Sequence, residues 1–311
     1  MNIAVFGYSD FTRRCVQELM QKGHQVLLLC PRADQAHFET NAMAELNADI
    51  ANFENMQDPN LLDILASFST DYIFSIIFGY KIPPQVLQQA RHGSINFHPA
   101  PLPEFRTANA WFWPLRMGVK ESAICLHHMT QQWDSGNVIL RLPFRLAPYE
   151  TQGGYVKQVG AMAPTVIDKL EPMLLNPPLP AGEKQDSGAY YPRVTLRDLF
   201  IDFTQTTVQV EDLIRACNPF HPAQTMFRGE NIEIVEAELV SGTPGQPGEL
   251  HRIGDSLQVS CQDGRLQLHV VNVPLTGSYS AQRFAQCYEV KTGEMLEPIS
   301  HFPQYAHLLD Q

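Results

Sequence analysis

The chain has 311 residues, 44% of them hydrophobic, and a formal net charge of −11 at pH 7. That is enough apolar material for one large or two modest cores, and the acidic balance argues against nucleic acid as the main partner. No apolar run reaches the roughly 18–20 residues of a membrane-spanning helix, and Met1-Asn2-Ile3-Ala4-Val5-Phe6 lacks the basic start of a secretion signal.

In chain order, Ile3 to Phe6 reads as a short apolar strand and Thr12 to Lys22 as a helix spaced through Val16, Leu19 and Met20. Gln25 to Cys30 is a second strand, Leu61 to Phe68 a helix, Tyr72 to Phe78 a buried strand and Pro84 to Ala90 a helix opened by its proline. Ser94 to His98 alternates around β-branched Ile95 and reads as a strand end. Trp111-Phe112-Trp113 has helical surroundings and reads as core packing. Ser122 to Met129 and Val138 to Leu146 are further strands, and Tyr155 to Met173 reads as one long closing helix. Repeated βα units with nearly all-apolar strands imply a Rossmann-like, doubly wound parallel sheet.

Asn176-Pro177-Pro178-Leu179-Pro180-Ala181-Gly182 and the tract to Pro192 are rich in turn formers, as a linker would be. Val208 to Cys217 follows as an amphipathic helix, then short strands at Asn231 to Leu239, Ser256 to Ser260 and Leu266 to Val273, a pattern of small β-barrels. The expected organisation is a catalytic domain at 1–175, a linker at 176–202 and a β-barrel domain at 203–311. Cys15, Cys30, Cys125, Cys217, Cys261 and Cys287 show no C-x-x-C spacing and read as reduced thiols of a cytoplasmic protein.

Asn96, His98 and Asp134 are the candidate catalytic residues. Two apart on a strand, Asn96 and His98 point to the same side, just where Pro99, Pro101 and Pro103 force the chain out of the sheet. Asp134, in a Trp-Asp-Ser-Gly turn between two strands, can hold the imidazole in one tautomer and raise its basicity. An amide, an imidazole and a carboxylate so placed are equipment for addition to a small carbonyl. A histidine before proline and an Asp-Ser-Gly turn are each ordinary alone; their joint occurrence is specific. His127 and His128 adjoin on a strand, so they face opposite ways and cannot share a metal; no metal is expected. Gly7-Tyr8-Ser9 is not a dinucleotide fingerprint, so NAD is not expected.

Asn96-Phe97-His98-Pro99-Ala100-Pro101-Leu102-Pro103-Glu104-Phe105-Arg106 resembles the N-x-H-P-S-L-L-P-x-[YF]-[RK]-G element of the folate-dependent formyltransferases, and Asp134-Ser135-Gly136-Asn137-Val138 resembles their D-x-G-x-[IV] loop. The opening strand and turn to Phe11, the run Tyr191-Pro192-Arg193, and Arg215 to Phe220 extend the similarity over nearly the whole chain. Two departures stand out: Ala100-Pro101 replaces Ser-Leu, and Thr107 replaces the glycine. Neither is expected to touch the triad. The resemblance implies an OB-like C-terminal domain, N10-formyltetrahydrofolate as donor, and Phe78, Gly79, Tyr80, Lys81, Ile82 and Gln132 as its binding residues. It also implies that Asn96 and a protonated His98 bind the formyl oxygen, while Asp134 steadies the imidazolium and accepts the amine's proton.

The acceptor is expected to be a small primary amine, preferably on a nucleotide-linked amino sugar. The Phe6 to Asp10 turn and the Tyr190 to Arg193 run look closest to that branch of the family, which makes Tyr8, Pro103, Arg106 and Arg193 the candidate substrate-binding residues. Initiator tRNA is disfavoured because residues 203–311 hold 6 Lys and Arg against 13 Asp and Glu, net −7. The segment 31–48 also holds one arginine and no lysine, where tRNA-directed relatives tend to carry a basic insertion. An amino-acid or carrier-bound amine, hydrolysis of the donor, and assembly as a homodimer are left open.

Overall fold

The computed structural model describes residues 1–302. Strand β1 (Asn2–Phe6) runs into helix α1 (Asp10–Gln21), then β2 (Gln25–Pro31), α2 (Gln35–Thr40), β3 (Asp49–Phe53), α3 (Asn60–Ser67), β4 (Tyr72–Ile76), α4 (Pro84–Leu87) and β5 (Gly93–His98). A short β6 (Phe105–Thr107), α5 (Phe112–Arg116), β7 (Glu121–His128), β8 (Val138–Arg145), α6 (Gln152–Ala161), α7 (Ala163–Leu175) and β9 (Ala189–Tyr191) follow. The main sheet has seven strands in the order β3-β2-β1-β4-β5-β7-β8. β1 to β5 are mutually parallel, whereas β7 and β8 join antiparallel, so the doubly wound sheet is mixed at one side.

Alternation along the strands sorts the core into two faces. Ala4, Phe6, Leu27, Leu29 and Ile73 meet Leu61 and Leu65 of α3 on one side. On the other, Phe97 packs against Phe74 and Phe11, with α1 lying beside α7. α1 starts where it does because Ser9 caps it reciprocally with Thr12: each side-chain oxygen accepts the other residue's backbone N–H. Thr12 also donates to the Ile76 carbonyl at 2.8 Å, tying that helix start to the end of β4.

Two expectations needed correction. β4 stops at Ile76, because Ile77 takes a left-handed φ of 53° and turns the chain out of the sheet. The long closing helix is two helices, α6 and α7, parted at Met162. Pro164 has no N–H to continue the helical ladder, but it is well tolerated in the first turn of a new helix.

The chain divides into two compact units, the first comprising residues 1–110, 121–145 and 156–192, the second residues 111–120, 146–155 and 193–311. The run 179–191 does not hang free of the first unit. Glu183 and Val138 exchange both backbone bonds, and β9 pairs in parallel with β6. In the second unit, α8 (Thr207–Cys217) precedes β10 (Ala223–Phe227), β11 (Glu230–Val240), β12 (Leu250–Ile253), β13 (Ser256–Ser260), β14 (Arg265–Val273), β15 (Gly277–Ser280), α9 (Ala281–Cys287) and β16 (Leu296–Glu297). These strands form a curved antiparallel sheet in the order β12-β13-β14-β11-β10-β16, and a bridge between Glu249 and Met295 brings its two ends together. The cysteines among the described residues are unpaired thiols, and no described helix is long and apolar enough to cross a membrane.

Candidate active site

Asn96 and His98 end β5, on the face and in the row that Ile73 and Ser75 begin on β4. β7 runs antiparallel to β5 with His127 directly opposite Asn96, and residues directly opposite across such a ladder present their side chains to one face. A register shift between Leu126 and His127 in the β7–β8 ladder marks a bulge, a device that re-aims a side chain. Asp134 comes from the β7–β8 connection, where it adopts a left-handed φ of 49°. Gly136 makes that turn possible, since a Cβ there would lie 1.8 Å from the His128 carbonyl oxygen.

The three sequence candidates meet. Asn96 Nδ2 donates to Asp134 Oδ1 at 3.2 Å, and His98 Nδ1 lies 3.5 Å from the same oxygen. The backbone N–H of Thr107 donates to Asp134 Oδ2 at 3.2 Å, a contact that a glycine there would make equally well. A fourth member escaped sequence reasoning: His127 Nε2 lies 3.0 Å from Asn96 Nδ2 and 3.5 Å from Asp134 Oδ1. His127 and His128 do face opposite ways, for His128 Nε2 meets the Pro180 carbonyl, yet that alternation is what turns His127 inward. The pairing of β5 with β7 would have revealed it, and no local sequence signal encodes that pairing.

The tautomers follow from partners that can only accept. His98 Nε2 lies 2.7 Å from the Phe105 carbonyl and so carries a proton, which leaves Nδ1, facing Asp134, as the nitrogen that titrates. His127 Nδ1 likewise donates to the His128 carbonyl at 2.8 Å, leaving Nε2 to accept the Asn96 amide. Burial pulls the His98 pKa below its ordinary value, with Asp134 only partly opposing, so the ring is neutral until negative charge develops beside it. Burial pushes the Asp134 carboxyl up, but the His98 and His127 rings and the Thr107 amide outweigh it and hold the carboxyl below the usual carboxylate value.

Asn96, His127 and Asp134 line a narrow cleft that is open to solvent. Tyr80, Lys81, Ile82 and Gln132 line it as expected residues, with Ser75, Met129 and Trp133 in addition. Phe78 and Gly79 are not among the lining residues, and Phe78 is buried in the core against Phe6 and Tyr8. Tyr8 lies outside the cleft, stacked on His37 at 6.1 Å, its phenol pKa raised by burial and by Asp34. Pro103 follows a cis bond from Leu102 and receives Gly188 against its carbonyl. Arg106 donates to Gln185 Oε1 at 3.1 Å and to the Gln185 and Ser187 carbonyls. Arg193 is exposed and belongs to the second unit. No group of His, Cys, Asp and Glu among the described residues is arranged to hold a metal ion.

A doubly wound domain carrying an amide, imidazole and carboxylate at its strand ends, followed by a β-barrel-like domain, is the build of a one-carbon group transferase. Residues 1–168 match the formyl transferase family model and residues 193–288 the model of the formyl transferase C-terminal domain. The chain belongs to the formyl transferase family. It is 25% identical over 288 residues to the methionyl-tRNA formyltransferase of Agathobacter rectalis, covering 89% of this chain and 93% of that one. Its fold is similar to HypX from Aquifex aeolicus in complex with tetrahydrofolic acid, at a TM-score of 0.65 and 17% identity over 94% of this chain; it spans 48% of that protein. It is equally similar, at 0.65 and 15% identity, to a Helicobacter canadensis N-formyltransferase in complex with folinic acid and dTDP-3-aminofucose, covering 89% of this chain and 99% of that one.

Proposed function

We propose that this enzyme moves a formyl group from N10-formyltetrahydrofolate to the primary amine of a small acceptor, a nucleotide-linked amino sugar. The observation that carries the transfer reading is the convergence of Asn96 and the buried His98 on Asp134, with Asn96 and Asp134 lining an open cleft. The cleft suits a flat heteroaromatic ring: Tyr80 and Trp133 supply aromatic faces, Ile82 and Met129 apolar walls, and Gln132 a polar edge. When bound, the folate supplies an activated formyl group on N10. Asn96 Nδ2, whose two protons go to Asp134 Oδ1 and His127 Nε2, would turn one of them to the formyl oxygen as negative charge grows there, and His98 would join it through Nδ1 once that nitrogen has taken the amine's proton by way of Asp134. Asp134, ionised, would accept the proton that the attacking amine loses, directly or through water, and share it with His98 Nδ1; the proton would then go to N10 as the formyl–N10 bond breaks and tetrahydrofolate leaves.

The acceptor reading is supported by the −7 balance of residues 203–311, which repels phosphate polymers, and by the Helicobacter canadensis relative, which holds a folate with an amino-sugar nucleotide. Arg106, which has no acidic partner among the described residues, would face the diphosphate. A second reading, initiator methionyl-tRNA, is favoured by relatives of that name aligned along most of the chain. Incubation with N10-formyltetrahydrofolate and a panel of UDP- and dTDP-amino sugars, free amino acids and methionyl-tRNA decides between them, read by mass spectrometry of the acceptor. Formylation of the sugar nucleotides is the expected result. Donor consumption with no acceptor present would replace the transferase by a hydrolase.

A further inference from the structure

We propose that Gln185 is the positioning residue that holds the Asp134 carboxylate in its working place, an inference that rests on Asp134 being the proton acceptor. Asp134 stands in a left-handed conformation with φ of 49°, which aspartate tolerates but which contacts with its neighbours must hold if the carboxylate is to keep one position. Gln185 provides such a contact. Its Nε2 donates to the Asp134 carbonyl at 3.0 Å and to the Gly136 carbonyl at 2.6 Å, gripping both ends of the turn with one amide. The orientation of that amide is fixed by chemistry, because Arg106 Nε donates to its Oε1 at 3.1 Å and a guanidinium can only donate.

The residue is anchored on both sides. Before it, Glu183 is bridged to Val138; after it, β9 pairs with β6, setting Tyr191 beside Thr107. Thr107 is the residue whose N–H binds the Asp134 carboxylate. Gln185 thus holds the Asp134 backbone while β6, to which its own segment is stapled, holds the Asp134 side chain. An ordinary surface glutamine has no reason to make such contacts with residues 49, 51 and 79 positions away. Gln185 does not line the cleft, so it acts through Asp134 and touches no reactant.

The test follows the Asp134 carboxyl by 13C NMR, assigned with Asp134→Asn, in the wild type, Gln185→Ala and Gln185→Glu. Glutamate keeps an acceptor for Arg106 but sets a carboxylate against two carbonyl oxygens, so it loses the grip on Asp134 alone. In both variants the carboxyl should titrate at higher pH than in the wild type, because it moves away from His98 and the Thr107 amide. The kcat for formyl transfer should fall about 10–100-fold, the scale of a displacement near 1 Å, with folate affinity unchanged within about twofold. An unchanged titration in Gln185→Ala overturns the proposal, whatever the rate. So does a wild-type titration in Gln185→Glu, which would place the effect on Arg106. Should Asp134→Asn turn over normally, the reading of Asp134 falls instead, and the titration still decides the placing of Gln185.

Discussion

At the scale of the residue, the site is built around one carboxylate oxygen that three side chains approach, Asn96, His98 and His127. Asp134→Asn keeps the volume but removes the charge, so it should cost about 10²–10⁴-fold in kcat and leave circular dichroism unchanged; near-normal turnover would remove the mechanism. His127→Ala frees the Asn96 amide to rotate, and kcat should fall about 10–100-fold with little change in folate affinity, measured by steady-state kinetics and titration calorimetry. The pH dependence follows from the directions of the shifts. The Asp134 carboxyl lies below 3.8 and stays ionised across pH 5–8, so the acid limb of the rate belongs to the acceptor amine. Rates measured with acceptors of different basicity should show that limb moving with the amine. A limb fixed at one pH for every acceptor would assign it to the protein. Stability carries a separate signature, with opposite starting points for the two groups. His98 is held neutral, so the unfolded chain takes up a proton first and stability falls as pH drops below 6.5 toward the lower folded value. Asp134, depressed when folded, contributes above 3.8 and loses that contribution only as pH falls through its folded value.

At the scale of the element, the β7–β8 connection decides whether the site exists. Gly136→Ala would force a Cβ to 1.8 Å from the His128 carbonyl, so the turn must open. We expect a stability loss of roughly 2–3 kcal/mol in urea unfolding and loss of transfer, because Asp134 leaves with the turn. Elements like this one separate what the sequence discloses from what it withholds. The alternation in Ser94 to His98 and the prolines after it place Asn96 and His98 on one side of a strand end, because strand periodicity is local. The buried apolar strands likewise announce the doubly wound sheet. What stays hidden depends on partners far along the chain. His127 enters through its antiparallel register with Asn96, and Gln185 through a segment dominated by turn formers that gives no sign of where it docks. Phe78 misled for a related reason: β4 ends two residues earlier than its hydrophobicity suggests, and after that turn the ring points into the core. The break between α6 and α7 was visible in Pro164, but the apolar spacing on both sides masked it.

At the scale of the whole molecule, charge bears on the choice of acceptor. The chain carries −11, of which residues 203–311 contribute −7. A surface that grips tRNA neutralises several phosphates, and its affinity falls with salt at a log–log slope of about −0.9 for each phosphate engaged on a duplex. A negative balance of this size works against such a release of counterions. A small amino-sugar nucleotide needs only one or two cations, a demand Arg106 can meet from its place on β6. Measuring kcat/KM for formylation of methionyl-tRNA and of a dTDP- or UDP-amino sugar between 50 and 200 mM salt (a range of about fourfold) separates the two. For the sugar nucleotide we expect a change of less than about tenfold, consistent with a diphosphate held by few charges. For methionyl-tRNA we expect turnover at most about 1% of the sugar rate even at the lowest salt, where phosphate contacts are strongest. Efficient formylation of methionyl-tRNA at low salt, collapsing about 10³-fold as salt rises, would reveal a phosphate-binding surface that the net charge conceals and would transfer this enzyme to the tRNA-directed branch of its family.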